Sequence, residues 1–346
     1  MNRHAAVLAL LSAALFGVST PIAKALLGEI SPTILAALFY CGAGIGIAIL
    51  RRAPAHSDGA TALSTAELPW LGAAILSGGV IGPLLLMTGL SMTAAAAASL
   101  LLTLEGVATA LIAWFIFREN FDARIALGMV CLVAGALVLA WTGEPTFSGL
   151  MGPLAIVGAC VAWGLDNNFT RKVSLSDPLQ IVQLKGLFAG PFLLLLGLLS
   201  GDRLPSPTIT GLAGVVGFLG YGVSLALFVL ALRQLGAART GAYFSTAPFI
   251  GAIAAIAFLR EPVTVQLLVA GLLMGVGVWL HLTEHHEHEH EHEPIEHTHA
   301  HVHDEHHQHG HLPGDPPGEP HTHAHRHVRL KHRHPHVPDM HHQHRH

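Results

Sequence analysis

Twelve residues into a run of twenty-four mostly apolar side chains, Ala94 to Phe117, stands one carboxylate, Glu105. An ionised group at that depth in a bilayer is disfavoured by ~2.5–3.5 kcal/mol on insertion scales, so it faces a cavity or a polar partner. Binding a substrate or a proton is the chemistry open to it; a neutral carboxyl hydrogen-bonded to a neighbouring helix is the structural alternative. Four other residues share this character. Asp166 and Asn167, followed by Asn168, form a polar cluster just before Arg171 and Lys172, suited to lining a cavity, to capping a helix at the interface or to pairing with nearby cations. Lys185, eight residues beyond Asp177 and close to Gln180 and Gln183, is too far inside its run for snorkelling to explain it easily. Lys24, three residues after Pro21, is near enough to a span end for its ammonium to reach the headgroups. Glu105, Asp166, Asn167, Lys24 and Lys185 are the candidate substrate-binding residues.

Imidazole is the second chemical resource. Twenty-four of the twenty-seven histidines follow Glu284, in motifs that recur: HTHAHVH from His297 returns as HTHAHRH from His321. Neutral imidazole binds Zn²⁺, Ni²⁺, Cu²⁺ or Co²⁺, and His-x-His steps on a flexible chain assemble several ligands with few constraints. The candidate metal ligands are His297, His299, His301, His303, His306, His307, His321, His323, His325, His327, His341 and His342, with Zn²⁺ or Ni²⁺ as the ion. A solvated tail whose charge rises as pH falls is the bland alternative. No P-loop, nucleophile elbow or metalloprotease motif occurs, so the chain reads as a non-enzyme with no required cofactor, and its net charge of −4 gives no reason to expect nucleic acid.

The elements that position these groups follow from composition. Hydrophobic residues make up 51% and charged ones 12%, and a mean hydropathy of +0.52 averages over the polar tail. This is the composition of an integral membrane protein. Runs long enough for a ~30 Å core at 1.5 Å per residue fall at 5–27, 31–50, 68–90, 94–117, 122–142, 149–170, 178–199, 209–232, 237–259 and 263–283. The first is too long for a signal-peptide core and reads as a retained helix. With the amino terminus inside, the inner segments carry nine Lys and Arg (Arg3, Arg51, Arg52, Arg118, Arg124, Arg171, Lys172, Arg233, Arg239) and the outer ones two, Arg203 and Arg260. Both termini are then cytoplasmic. Cys41, Cys131 and Cys160 are scattered in apolar runs and read as inert thiols.

The two halves are copies. Shifting by 142 residues lays Gly236–Leu259 over Ala94–Phe117 and Arg260–Glu261 over Arg118–Glu119; Phe16–Gly17 and Trp163–Gly164 correspond at a spacing of 147. Five spans per copy, an odd number, make the second copy enter from the opposite side, an inverted repeat with its site near the midplane. The duplicated Arg–Glu pairs read as structural. Gly42-x-x-x-Gly46, Gly78-x-x-x-Gly82 and Gly271-x-x-x-Gly275 read as close helix contacts, with homodimerisation the secondary reading.

The first span's FGVSTPIAK (Phe16 to Lys24), the fourth's FREN (Phe117 to Asn120) and the ninth's FLREP (Phe258 to Pro262), the latter two each followed by a Gly-rich span, resemble the EamA family of the drug/metabolite transporter superfamily. The resemblance implies ten helices in two inverted five-helix repeats and transport of small metabolites. It also implies that the Pro-x-x-Lys ending in Lys24 is functional. One departure is Gly106, which stands where the family often has proline, as Pro248 in the second copy.

The reading is therefore an all-α integral membrane protein of ten transmembrane helices in two inverted five-helix repeats, residues 1–142 and 149–283, with a disordered His-rich cytoplasmic tail, 284–346. It predicts a gradient-driven carrier of a small organic metabolite in the cell membrane, working by alternating access, with lipid, a small-molecule substrate and divalent metal ions as partners. A divalent-metal carrier supplied by the tail, and a membrane-anchored metal buffer or sensor, are the alternatives.

Overall fold

The computed structural model describes residues 3–52, 63–65, 67–116, 123–141, 147–173, 177–235, 237–282, 287–292, 296–301, 321–326 and 330–335. It divides into two units, Met1–Thr283 and Glu284–His346.

Apolar runs closed by turn residues make the first unit helical, and no strand occurs among its described residues. Helices α1 (Arg3–Leu26) and α2 (Pro32–Leu50) are joined by a turn in which Ser31 Oγ accepts from the Ile34 amide and Pro32 opens α2. The third apolar run, Leu68–Met92, is α3 (Leu68–Ala74), a π-helical segment (Ile75–Ile81) and α4 (Gly82–Met92). The fourth is broken at Leu102–Thr103 into α5 (Ala95–Leu101) and α6 (Leu104–Phe115), and α7 (Ala123–Ala140) follows. The second half begins with α8 (Phe147–Arg171) and α9 (Pro178–Leu199). Next come α10 (Pro207–Gly217), a second π segment (Phe218–Val223) and α11 (Ser224–Leu235). A helix broken at Ser245–Thr246 into α12 (Ala237–Phe244) and α13 (Ala247–Leu259) leads to α14 (Val265–Leu282). Both irregularities recur at one spacing: the π segments begin at 75 and 218, the breaks at 102 and 245, 143 positions in each case.

Among the described residues seven helices are long and apolar enough to cross a bilayer, and shorter apolar helices lie at Arg124–Ala140, Ala247–Leu259 and Val265–Leu280. Up-and-down alternation is visible in which helix ends meet. At one end Lys24 Nζ donates to the Leu90 carbonyl (2.7 Å), and Glu261 accepts from the amides of Ala95 and Ala96 (2.7 and 2.8 Å). Gln266 Nε2 reaches the Val138 and Trp141 carbonyls at the same end (2.5 and 2.6 Å). At the other end Arg51 is bonded to Asp177 (2.8 Å) and Gln183 (2.6 Å).

The surface is apolar, with Leu137, Phe188, Leu199, Phe258 and Leu272 all exposed, as a lipid-facing exterior requires. Between helices, therefore, oily side chains gain little by burial, and close packing of small residues must hold the bundle. A Cβ added to Gly44 would lie 2.7 Å from the backbone of Gly186 on α9, and one on Gly42 would strike the Gly214 carbonyl on α10. Gly42 makes such a contact, Gly46, Gly78 and Gly82 instead leave room for the side chains of Phe218, Asp166 and Trp163, and Gly271 and Gly275 meet neighbours only at 3.7 and 4.0 Å.

In the second unit, expected from the sequence to be a disordered tail, the described residues are extended. They form two antiparallel ladders, β1 (Glu287–His292) with β4 (Leu330–Pro335) and β2 (Glu296–His301) with β3 (His321–Arg326). Strict alternation of residue type suits the two-residue period of a strand, and the β1/β4 register sets Glu289 opposite Arg333 and Glu291 opposite Lys331. Leu330 is the one large apolar residue in these strands. A two-stranded ladder without an apolar face is marginal in water.

Packing yields a direct prediction. Gly186→Leu, at the α2–α9 contact, is expected to destabilise the protein by about 1–3 kcal/mol through overpacking. Gly211→Leu, where an added Cβ meets nothing within 4 Å, is expected to leave it unchanged. Thermal unfolding in detergent measures both, and equal melting temperatures for the two variants would refute the packing account.

Candidate functional site

Asp166, Asn167 and Asn168 are consecutive on α8, so about 100° of helix rotation separates each from the next and they face different neighbours. Asp166 is turned to α9 and the first π segment. Lys185 Nζ lies 2.5 Å from its Oδ1, and the Thr170 hydroxyl donates to the same oxygen at 2.9 Å while accepting from Lys185 at 3.0 Å. The pair is largely enclosed, at 15% and 11% side-chain exposure. Its space comes from Gly78, where any Cβ would run into the Asp166 carboxyl. The carbonyl of Gly78, within the π segment, accepts from Tyr40 Oη (2.6 Å) and Trp163 Nε1 (3.0 Å).

Asn167 is turned the other way, to α6. Its Nδ2 donates to Glu105 Oε1 at 2.9 Å and to Thr109 Oγ1 at 3.1 Å. Asn168, buried, donates to the carbonyls of Gly164 (2.8 Å) and Thr109 (3.2 Å) and so ties α8 to α6. The break before α6 places Glu105 in that helix's first turn, where the positive end of the helix dipole meets the carboxylate. In the structural register of 143 residues Pro248, second in α13, matches Glu105, second in α6, and not Gly106, on which the sequence shift of 142 had set it.

Glu105, Thr109, Asn167 and Asn168 line a cavity of about 530 Å³, with Phe16, Phe244 and Pro248 among its other walls. That volume suits a small organic ligand, with few polar groups among many apolar ones. A chain of rings continues from its wall: Phe244 to Phe16 (5.5 Å between centroids), Phe16 to Tyr221 (5.6 Å) and Tyr221 to Tyr40 (5.7 Å). Tyr40 in turn reaches Gly78, beside Asp166.

Of the five residues expected to bind substrate, Glu105 and Asn167 thus meet in the cavity wall. Asp166 and Lys185 are brought together beside it, neither of them on the lining. Lys24 lies at the end of the bundle remote from Arg51, on the carbonyls of Leu90 and Ser91 (2.7 and 3.2 Å). Glu261 caps α5; Arg118 and Glu119 lie outside the described residues. Among the expected metal ligands, His297, His299, His301, His321, His323 and His325 lie on β2 and β3, while His303, His306, His307, His327, His341 and His342 lie outside the described residues. No three His, Cys, Asp or Glu side chains converge among the described residues searched. Thr109 was not singled out from the sequence, although it follows Glu105 by four and shares its face. Phe16, Tyr40, Trp163 and Phe244 carried no such signal, because isolated aromatics in apolar runs usually pack.

Comparison with known proteins places these features in context. A family model described as the EamA-like transporter family matches residues 3–141 and 150–283. An uncharacterized transporter of Methanothermobacter thermautotrophicus is 32% identical over 285 residues, covering 77% of this chain and 82% of that protein. The uncharacterized transporter YvbV of Bacillus subtilis is 26% identical over 191 residues, 54% of this chain and 62% of its own length. A crystal structure of a protein superposes with a TM-score of 0.60 at 16% identity, over 80% of this chain and 95% of the other. It shows a shared fold.

The enclosed ion pair carries its own test. Lys185→Met leaves a desolvated carboxylate without its cation and is expected to destabilise by about 3–5 kcal/mol, whereas Lys185→Met with Asp166→Asn recovers most of that loss. Thermal melts of both single variants and the double variant give the coupling; additive effects would show that the two residues do not act as a pair.

Proposed function

The chain belongs to the EamA-like transporter family, and on that premise we propose that it is a secondary carrier moving a small organic metabolite by alternating access, with Glu105 and Asn167 in its binding site. Membrane transport of a small substrate by a multi-span protein is the family-level function. The observation that carries the finer reading is the cavity at Glu105, built where two helices break at equivalent positions, α5–α6 at 102 and α12–α13 at 245. Broken helices at membrane depth are tolerated where they line a cavity, and paired breaks are the usual frame of a carrier's site.

The family match falls separately on the two halves, and the recurrence of both irregularities after 143 residues supports ten crossings in two inverted repeats. Nine Lys and Arg against two favour the Arg51 end as the cytoplasmic one. The cavity-lining residues Thr109, Asn167 and Gly241 lie between the middle of their helices and that end. Lys24 on the end of α4 and Glu261 on the start of α5 close the opposite end, so this conformation is the cytoplasm-facing one. Opening the outer side requires Glu261 to leave the two amides of α5.

The tail is read as a separate metal-binding segment. The β2/β3 register sets His297, His299 and His301 opposite His325, His323 and His321, and residues two apart share a face of a strand.

Two measurements test these readings. In proteoliposomes, Glu105→Gln is expected to lower substrate counterflow at least tenfold with melting temperature unchanged; full counterflow by the variant would refute the assigned site. A protein ending at Thr283 is expected to retain counterflow and lose Zn²⁺ and Ni²⁺ binding by calorimetry. In the intact chain, binding present at pH 7.5 disappears by pH 5, because imidazole must be neutral to bind metal and protonates around pH 6.5. Tight Zn²⁺ binding and Zn²⁺ transport by the truncated protein would replace the metabolite carrier with a metal carrier.

A further inference from the structure

We propose that the cavity selects organic cations: amines or quaternary ammonium compounds with an apolar, ring-sized body, and not carboxylates or phosphates. The proposal rests on the carrier reading above and adds the sign of the charge that the site accepts. Five charged or polar candidates left that sign open, because two of them are lysines. The structure removes both from the cavity. Lys185 is held by Asp166 and Thr170, at 2.5 and 3.0 Å. Lys24 donates to main-chain carbonyls at the remote end of α4. Among the described residues no Lys, Arg or His lines the cavity.

Glu105 is then the one ionisable group on the described lining. Its side-chain partner there is an amide: Asn167 Nδ2 donates to Oε1 at 2.9 Å. An amide orients a carboxylate and leaves its charge in place. Asp166, the nearest other carboxylate in the network, is matched by Lys185, so Glu105 is the one carboxyl of the cluster without a cation beside it, and a cationic ligand is what would hold it in its ionised form. An anionic ligand would bring like charge into a poorly solvated site, whereas an ammonium would complete an ion pair there. The walls agree with this sign. Phe16 and Phe244 line the same cavity, and aromatic faces attract organic cations. Leu102, Ala110 and Val278 supply the apolar surface that a hydrated metal ion would not use and an organic body would.

Three probes of nearly equal size and different charge provide the test: phenethylamine, phenethyl alcohol and 3-phenylpropionate. With the full chain in detergent, calorimetry is expected to show the amine binding at least tenfold more tightly than the alcohol and the propionate not binding. In Glu105→Gln the amine's advantage over the alcohol disappears. The wild-type series alone decides the sign, so a poorly folded variant does not rescue the idea. Propionate binding as tightly as the amine, an unchanged amine preference in Glu105→Gln, or binding of none of the three would overturn it. Counterflow in proteoliposomes keeps the two readings apart. Glu105-dependent binding of phenethylamine without exchange refutes the carrier and leaves the charge selection standing. Exchange of 3-phenylpropionate refutes the charge selection and leaves the carrier standing.

Discussion

Inside a bilayer every polar group must find its partner within the chain, because lipid offers none. The arrangement around Gly78 depends on that constraint at each step. The π segment there departs from regular helix, and the Gly78 carbonyl takes donors from Tyr40 on α2 and Trp163 on α8. An unsatisfied buried carbonyl would be disfavoured by about 1–3 kcal/mol, so the two aromatics are fixed by the backbone as much as by packing. The missing side chain of Gly78 gives Asp166 its room, and Asp166 fixes Lys185. One irregular turn thereby locks α2, α8 and α9 into a rigid block beside the cavity.

The opposite end of the bundle uses the same constraint in a form that can be undone. Glu261 accepts from the amides of Ala95 and Ala96, two of the donors that the start of a helix leaves without intrahelical partners. Arg260, just before it, is in the left-handed region at φ 55°, a conformation disfavoured by roughly 1–2 kcal/mol for a residue with a Cβ. The cap offsets that strain while it holds. Once the amides are released to water, both terms favour a different turn, which suits a contact that breaks in a transport cycle better than a buried pair such as Asp166–Lys185.

Much of this was legible in the chain, and the limits have physical causes. Helix positions followed from run lengths, and Glu105 from its depth, because both depend on one segment alone. The breaks at 102 and 245 were only hinted at by Gly106 and Pro248, since a break inside an apolar run leaves composition unchanged. The division of labour between Asp166 and Asn167 could not be read at all. Adjacent residues on a helix point about 100° apart, and which of them meets a lysine and which a cavity is decided by how α8 is rotated against α6 and α9. Lys24 and Lys185 looked equivalent to Glu105 for the same reason. In the tail two signals compete: the lack of apolar residues argues for disorder, while the alternation that spaces its histidines is also the period of a strand.

The contrast between the two carboxylates bears on how a carrier of this design could work. A ligand shifts a conformational equilibrium only through its different affinity for the two states. Asp166 is already matched by Lys185 and screened by Thr170, so a ligand gains little from it in either state, and the pair can travel through the cycle as a neutral unit. Glu105 is different in kind. Its amide partner sits on α8 and its backbone on α6, two helices that the alternating-access reading moves relative to each other around the break at Leu102–Thr103. In that reading, a change of the Asn167–Glu105 distance between states would change the strength of whatever the carboxylate holds.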